Sequence, residues 1–103
     1  MRLILKRRNT PIDAVGEYDE STRCFVVKKG TVVSETVAHS EKFRGANTIE
    51  KYRSECVKNG VAIKDIVFKS ASTAANFVTG ASTNGLTAWK SEDGTSLKDL
   101  LKK

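Results

Sequence analysis

A chain of 103 residues, 39% hydrophobic and carrying one Trp, two Tyr and four Phe, is expected to form a single domain, residues 1–103, around one modest core. Its formal charge of +6 and pI near 9.5 favour anionic partners, nucleic acid above all, although acidic protein surfaces select the same balance. Cys24 and Cys56 lie far apart without CxxC or Cys/His spacing, and the apolar run Leu3-Ile4-Leu5 is too short for a signal segment or a membrane span. Reduced thiols, a cytoplasmic location and no membrane association are therefore expected.

Leu3 and Leu5 alternate with basic neighbours, which predicts a strand over residues 2–8 that ends at Asn9-Thr10-Pro11. A short strand over residues 14–18 follows. Residues 19–22 (DEST) carry turn chemistry, and residues 23–29 (RCFVVKK) are β-branched and aromatic enough to return as the second arm of a hairpin. Gly30 permits a reversal into a fourth strand over residues 31–37 (TVVSETV). Residues 1 to about 40 thus predict a β-meander.

From about residue 45 the period changes. Ile49, Tyr52 and Cys56 share one face of a helix over residues 47–60, with Asn47 and Glu50 spaced as a capping box and Gly60 as a left-handed stop. Residues 61–68 (VAIKDIVF) read as extended. Ser70 is suited to cap a helix through Ala74, Ala75, Phe77 and Val78, with Gly80 as its terminator. Asn84-Gly85 predicts a turn before an extended segment over residues 86–90 (LTAWK), Asp93-Gly94 a second turn, and residues 96–103 a closing helix. Strands first, then helices with strands, predict an α+β domain: a small, mainly antiparallel sheet with two to three helices on one face.

Residues 70–90 hold no acidic residue, and their only basic residue is Lys90. Ser70, Ser72 and Thr73, at the start of a helix, would face a phosphate with hydroxyls and unpaired N–H groups, or would simply cap and fill the first turn. The second reading is favoured for Ser70, and Ser72 and Thr73 stand even. Asn84 is either a turn residue, the favoured reading, or a reader of a base edge. Lys69 and Lys90 flank the stretch and suit phosphate contacts. Trp89, the only tryptophan, suits the core better than a stacking role. Twelve further cations (Arg2, Lys6, Arg7, Arg8, Arg23, Lys28, Lys29, Lys42, Arg44, Lys51, Arg53, Lys58) are spread over several elements, so scattered surface charge competes with a patch.

Constellations for catalysis are missing from the sequence. His39 stands without a metal-ligand spacing, Cys56 falls on an apolar helix face, and no nucleophile elbow, Walker loop or GxGxxG occurs. No catalytic residue, metal or cofactor is expected.

Phe68, Ser70, Ser72, Ala74, Ala75, Val78 and Gly80, followed by Ser82, Asn84, Gly85, Trp89 and Lys90, resemble the signature of a small domain of unknown function, number 4357 of that series. Such domains occur behind GIY-YIG nuclease domains and in restriction and methylation proteins, and are similar to the RAMA (restriction enzyme and adenine methylase associated) domain. Residues 93–100 (DGTSLKDL) fit the family's closing motif, and residues 16–31 and 52–61 are similar to its hairpin and its Arg-containing helix. Ala71, Leu86 and Cys24 depart from a usual Pro, Trp and Gly. The resemblance implies a non-catalytic accessory module that contacts nucleic acid, DNA in preference to RNA, beside a nuclease or methyltransferase. A module that docks to such an enzyme without touching nucleic acid is the alternative. The candidate contacts are Lys69, Ser70, Ser72, Thr73, Asn84 and Lys90.

Overall fold

The structure, a computed structural model, describes residues 1–7, 10–34 and 46–102, the side chains of residues 46 and 47 excepted. Three strands open the chain, β1 (Arg2–Lys6), β2 (Asp13–Tyr18) and β3 (Phe25–Val27). Helix α1 (Ala46–Cys56) leads into the short strands β4 (Val57–Lys58) and β5 (Val61–Ala62), then β6 (Ile66–Phe68). Helices α2 (Ala71–Thr79), α3 (Gly85–Ala88) and α4 (Leu97–Leu101) complete the order. The main sheet runs β1-β2-β3-β6 and every pairing is antiparallel, so the fold is α+β with an N-terminal meander.

Alternation decides which face of the sheet is covered. Leu3, Leu5, Ala14, Phe25, Val27, Ile66 and Phe68 are buried on one side, where Ala74, Ala75, Phe77 and Val78 of α2 meet them. Gly16 faces the same side, and a Cβ there would overlap the Phe25 ring. Phe68 links the helices through tilted ring contacts to Phe77, with centroids 5.3 Å apart, and to Tyr52 of α1 at 5.1 Å. The opposite sheet face carries Arg2, Lys6, Glu17 and the exposed Val67.

Several expected boundaries shift. Strand β1 stops at Lys6, and residues 8 and 9 lie outside the described residues. The return strand is confined to Phe25–Val27. Of the expected fourth strand, the described residues 31–34 form isolated bridges at Val32, to Asp13 and Val61; residues 35–45, with His39, Lys42 and Arg44, lie outside the described residues. The Asn47 side chain of the expected capping box also lies outside them.

Helix α1 ends at Cys56, four residues before Gly60, because Asn59-Gly60 is itself a two-residue hairpin turn. Both residues have positive φ, 54° and 79°, the combination that joins two strands most tightly. Residues 61–68 accordingly split into β5 and β6. Helix α2 follows its expected limits: the Ser70 hydroxyl accepts from the Thr73 N–H at 3.1 Å, and Gly80 closes the helix at φ 72°.

The expected extended segment 86–90 is replaced by α3. Asn84 Oδ1 accepts the Leu86 N–H at 3.0 Å and starts a helical turn, while Gly85 lies so close to α2 that a Cβ would overlap the Ala71 carbonyl and the Ser72 nitrogen. Trp89 is fully buried, as expected of a core residue, and its indole N–H donates to the Ala71 carbonyl at 3.0 Å.

Candidate nucleic-acid interface

Lys90 is placed by the edge of β1. Its backbone N–H donates to the Ile4 carbonyl at 2.9 Å and its carbonyl accepts the Ile4 N–H at 2.7 Å. Residues exchanging both hydrogen bonds send their side chains to one face, so Lys90 stands beside Ile4 and, two residues on, Lys6. These residues and Arg7 form one wall of an open groove of about 570 Å³; Ser82, Asn84, Thr87 and Ser91 line it further, and Glu92 is its one acidic residue. Glu92 lies 3.8 Å from Arg2, and Lys6 lies 3.9 Å from Asp13; both pairs are exposed and weak.

A second, smaller groove of about 280 Å³ opens on the other side of α3. Lys69, Ser70, Ser72 and Leu86 line it together with Tyr18 and Arg23 of the β2–β3 hairpin, and no acidic side chain does. Arg23 sits at the hairpin's end with φ 61°, a left-handed conformation that bulky residues seldom adopt. The turn before it is tied by Asp19, whose Oδ1 accepts from the Ser21 hydroxyl at 2.7 Å and from the Ser21 N–H at 2.9 Å. The Ser21 hydroxyl bond, then the Ser21 N–H, hold the Asp19 carboxyl below the usual carboxylate range.

The sequence-predicted residues are thereby divided. Lys69, Ser70 and Ser72 line the smaller groove, Asn84 and Lys90 the larger, and Thr73 neither. The side-chain oxygens of Ser70, Ser72, Thr73 and Asn84 are also engaged within the fold. Ser70 and Thr73 hydroxyls lie 2.9 Å apart, the Ser72 hydroxyl accepts the Gly85 N–H at 3.1 Å, and Asn84 caps α3. Ser72, Thr73 and Asn84 thus each close a junction at the start of a helix. Gly85 also lies against the first turn of α2, where phosphate contact was one of the two readings.

Sequence reasoning missed Lys6, Arg7 and Arg23 as neighbours of this region. They arrive from β1 and the β2–β3 hairpin, and nothing local in residues 70–90 announces them. Arg53, counted among the surface cations, is instead half-buried. Its guanidinium donates to the Phe77 carbonyl from Nε at 3.0 Å and Nη2 at 2.7 Å, to the Ser34 carbonyl from Nη1 at 2.9 Å, and to the Ser34 hydroxyl from Nη2 at 2.8 Å. Burial pushes its pKa below the ordinary arginine value. Among the described residues no group of three or more His, Cys, Asp or Glu is placed to hold a metal ion, and both cysteines are free thiols, Cys56 buried and Cys24 half-buried. No helix among the described residues is long and apolar enough to cross a membrane.

No curated protein and no solved structure matches the chain with significance. The profile of one family, described as Domain of unknown function (DUF4357), matches residues 4–101, nearly the full length that the sheet and its helices occupy, and the chain belongs to that family.

Proposed function

We propose that this domain is a non-catalytic accessory module that binds nucleic acid, DNA in preference to RNA, and works beside a nuclease or a restriction–modification enzyme. The observation that carries the reading is the convergence of Lys6, Arg7 and Lys90 on one side of α3 and of Arg23 and Lys69 on the other, with Glu92 the single acid lining either groove. Cations gathered on concave, hydroxyl-lined surfaces attract a polyanion far more than the same charges scattered. The resemblance to the RAMA domain supports DNA as the anion.

Anisotropy titration of a labelled duplex of about 20 base pairs, with salt stepped between about 50 and 200 mM, tests the reading. If each of the five named cations neutralises a phosphate, the log–log salt slope is roughly −4 to −5, at about 0.9 per phosphate. The K69E/K90E double variant is expected to bind more weakly, with a slope shallower by about two. A wild-type slope near zero, or a double variant of unchanged affinity, overturns the reading in favour of a protein-docking module. The exposed sheet face around Val67, 60% accessible, is the surface such a module offers.

A further inference from the structure

Helix α3 contributes to both grooves: Leu86 lines the smaller, and Asn84, Thr87 and Ala88 line the larger. Leu86 is 40% exposed although most large apolar side chains among the described residues are buried, and it stands among Arg23, Lys69 and the Tyr18 ring. Nothing in the packing of α3 needs a leucine there. Gly85 makes the close contact with α2, Asn84 makes the cap, and Trp89 fills the core.

A helical turn with its side chains is about 10–12 Å across, which matches the roughly 12 Å width of the major groove of B-form DNA and exceeds the roughly 6 Å of the minor groove. The corresponding groove of an RNA duplex is too narrow to admit side chains. Cations on both sides of such a turn are where the two phosphate backbones bordering a major groove would lie. The crest of the turn then meets base edges. Among the features displayed there, the thymine C5-methyl is the apolar one.

We propose that α3 enters the major groove of duplex DNA between its two flanking clusters of cations, with Leu86 packed against a thymine methyl group. The proposal rests on the nucleic-acid reading above and adds to it the strand state, the groove and a residue that favours thymine. Asn84 and Thr87 stand beside Leu86: the Asn84 Oδ1 is held by the Leu86 N–H at 3.0 Å and the Thr87 hydroxyl by the Asn84 carbonyl at 3.1 Å. The Asn84 amide N–H₂ is the polar group of the turn left to face a base.

The test compares two duplexes of one sequence, one with thymine and one with uracil in its place, against the wild type and Leu86→Ala. Removing the methyl is expected to weaken wild-type binding about fourfold for each methyl contacted, the burial of a single methyl-sized group. Leu86→Ala should bind the thymine duplex more weakly, treat the two duplexes alike, and keep the wild-type salt slope, since no charge is lost. Equal wild-type affinity for the two duplexes overturns the proposal while leaving the nucleic-acid reading in place, as does a Leu86→Ala variant that still discriminates, or a wild type that binds single strands more tightly than duplex. No binding of either duplex at low salt overturns both. The wild-type comparison needs no substitution, so its outcome is independent of how the variant folds.

Discussion

Arg53 shows how a residue that looks like surface charge becomes part of the frame. Helix α2 ends with Phe77 and Val78 carbonyls that find partners outside the helix: the Ser34 N–H donates to Val78 at 2.8 Å, and the guanidinium reaches both, at 2.7 Å and 3.2 Å from Nη2, while Nη1 holds the Ser34 carbonyl. A cation at a helix C-terminus is favoured by the helix dipole, and the guanidinium carbon lies 5.9 Å from the Phe77 ring centroid. Lysine has the charge but not the planar fork, so it cannot bridge Ser34 and α2 together. Arg53→Lys is expected to lose about 2–3 kcal/mol of stability, the scale of one or two hydrogen bonds to a charged group. Urea denaturation measures it, and a loss below about 0.5 kcal/mol, the range of an ordinary surface substitution, would show that Arg53 is not a structural pin. The same scale explains the acid-free stretch. Ser70, Ser72, Asn76, Thr79 and Thr83 each satisfy a nearby N–H or carbonyl within the α2–α3 junction. Short neutral side chains do this half-buried without the desolvation that Lys or Glu would suffer there.

At the scale of elements, the β2–β3 turn holds Arg23 at positive φ, a conformation that costs a bulky residue about 1 kcal/mol or more and is retained where a side chain is needed. Asparagine adopts it readily. Arg23→Asn is expected to raise stability by up to about 1 kcal/mol and, on the binding reading, to lower the salt slope by about one. A variant both less stable and unchanged in slope would show that Arg23 contributes packing and no phosphate contact. Elements were legible where one stretch carries the whole signal, as α2 does with a capping Ser70, an apolar face and Gly80. They were not where a local signal had two uses. Gly60 serves equally to stop a helix and to complete the Asn59-Gly60 hairpin, and the second use prevails because β5 has a partner in Val32. Asn84-Gly85 reads as a hairpin turn, but the close approach of Gly85 to Ala71 makes Asn84 a helix cap. Of the cations lining the two grooves, Lys69 and Lys90 were legible from their position beside a neutral stretch. Lys6, Arg7 and Arg23 were not, since strand pairing and hairpin docking bring them there from far away in the chain.

For the molecule as a whole, acid exposes what the carboxylates hold together. Asp19, Asp65 and Asp93 each tie a connection between elements, and each carboxyl lies below the usual carboxylate range. For Asp65 the largest cause is the Lys29 N–H, which donates at 2.7 Å, followed among the lowering influences by the Lys28 ammonium; for Asp93 it is the Ser91 hydroxyl, then the Thr95 N–H at 3.1 Å. A depressed native pKa means that the unfolded chain binds more protons in acid. The contribution is therefore complete above the unfolded value of about 3.9 and disappears as pH falls through the native value. The thermal midpoint should be level between about pH 5 and 8 and fall below about pH 4. Protonation also unmasks repulsion among 18 Lys and Arg side chains, which lowers stability in the same direction. Two measurements separate these causes. Added salt screens the repulsion and leaves hydrogen bonds at the turns largely unaffected. The D19N/D65N/D93N variant keeps an acceptor oxygen at each turn but nothing to titrate, so it should be less stable than the wild type at pH 7 and show a shallower fall in acid. An acid transition of the same steepness in that variant, abolished in both proteins by salt, would assign the loss to net charge and leave the three turns without a part in it.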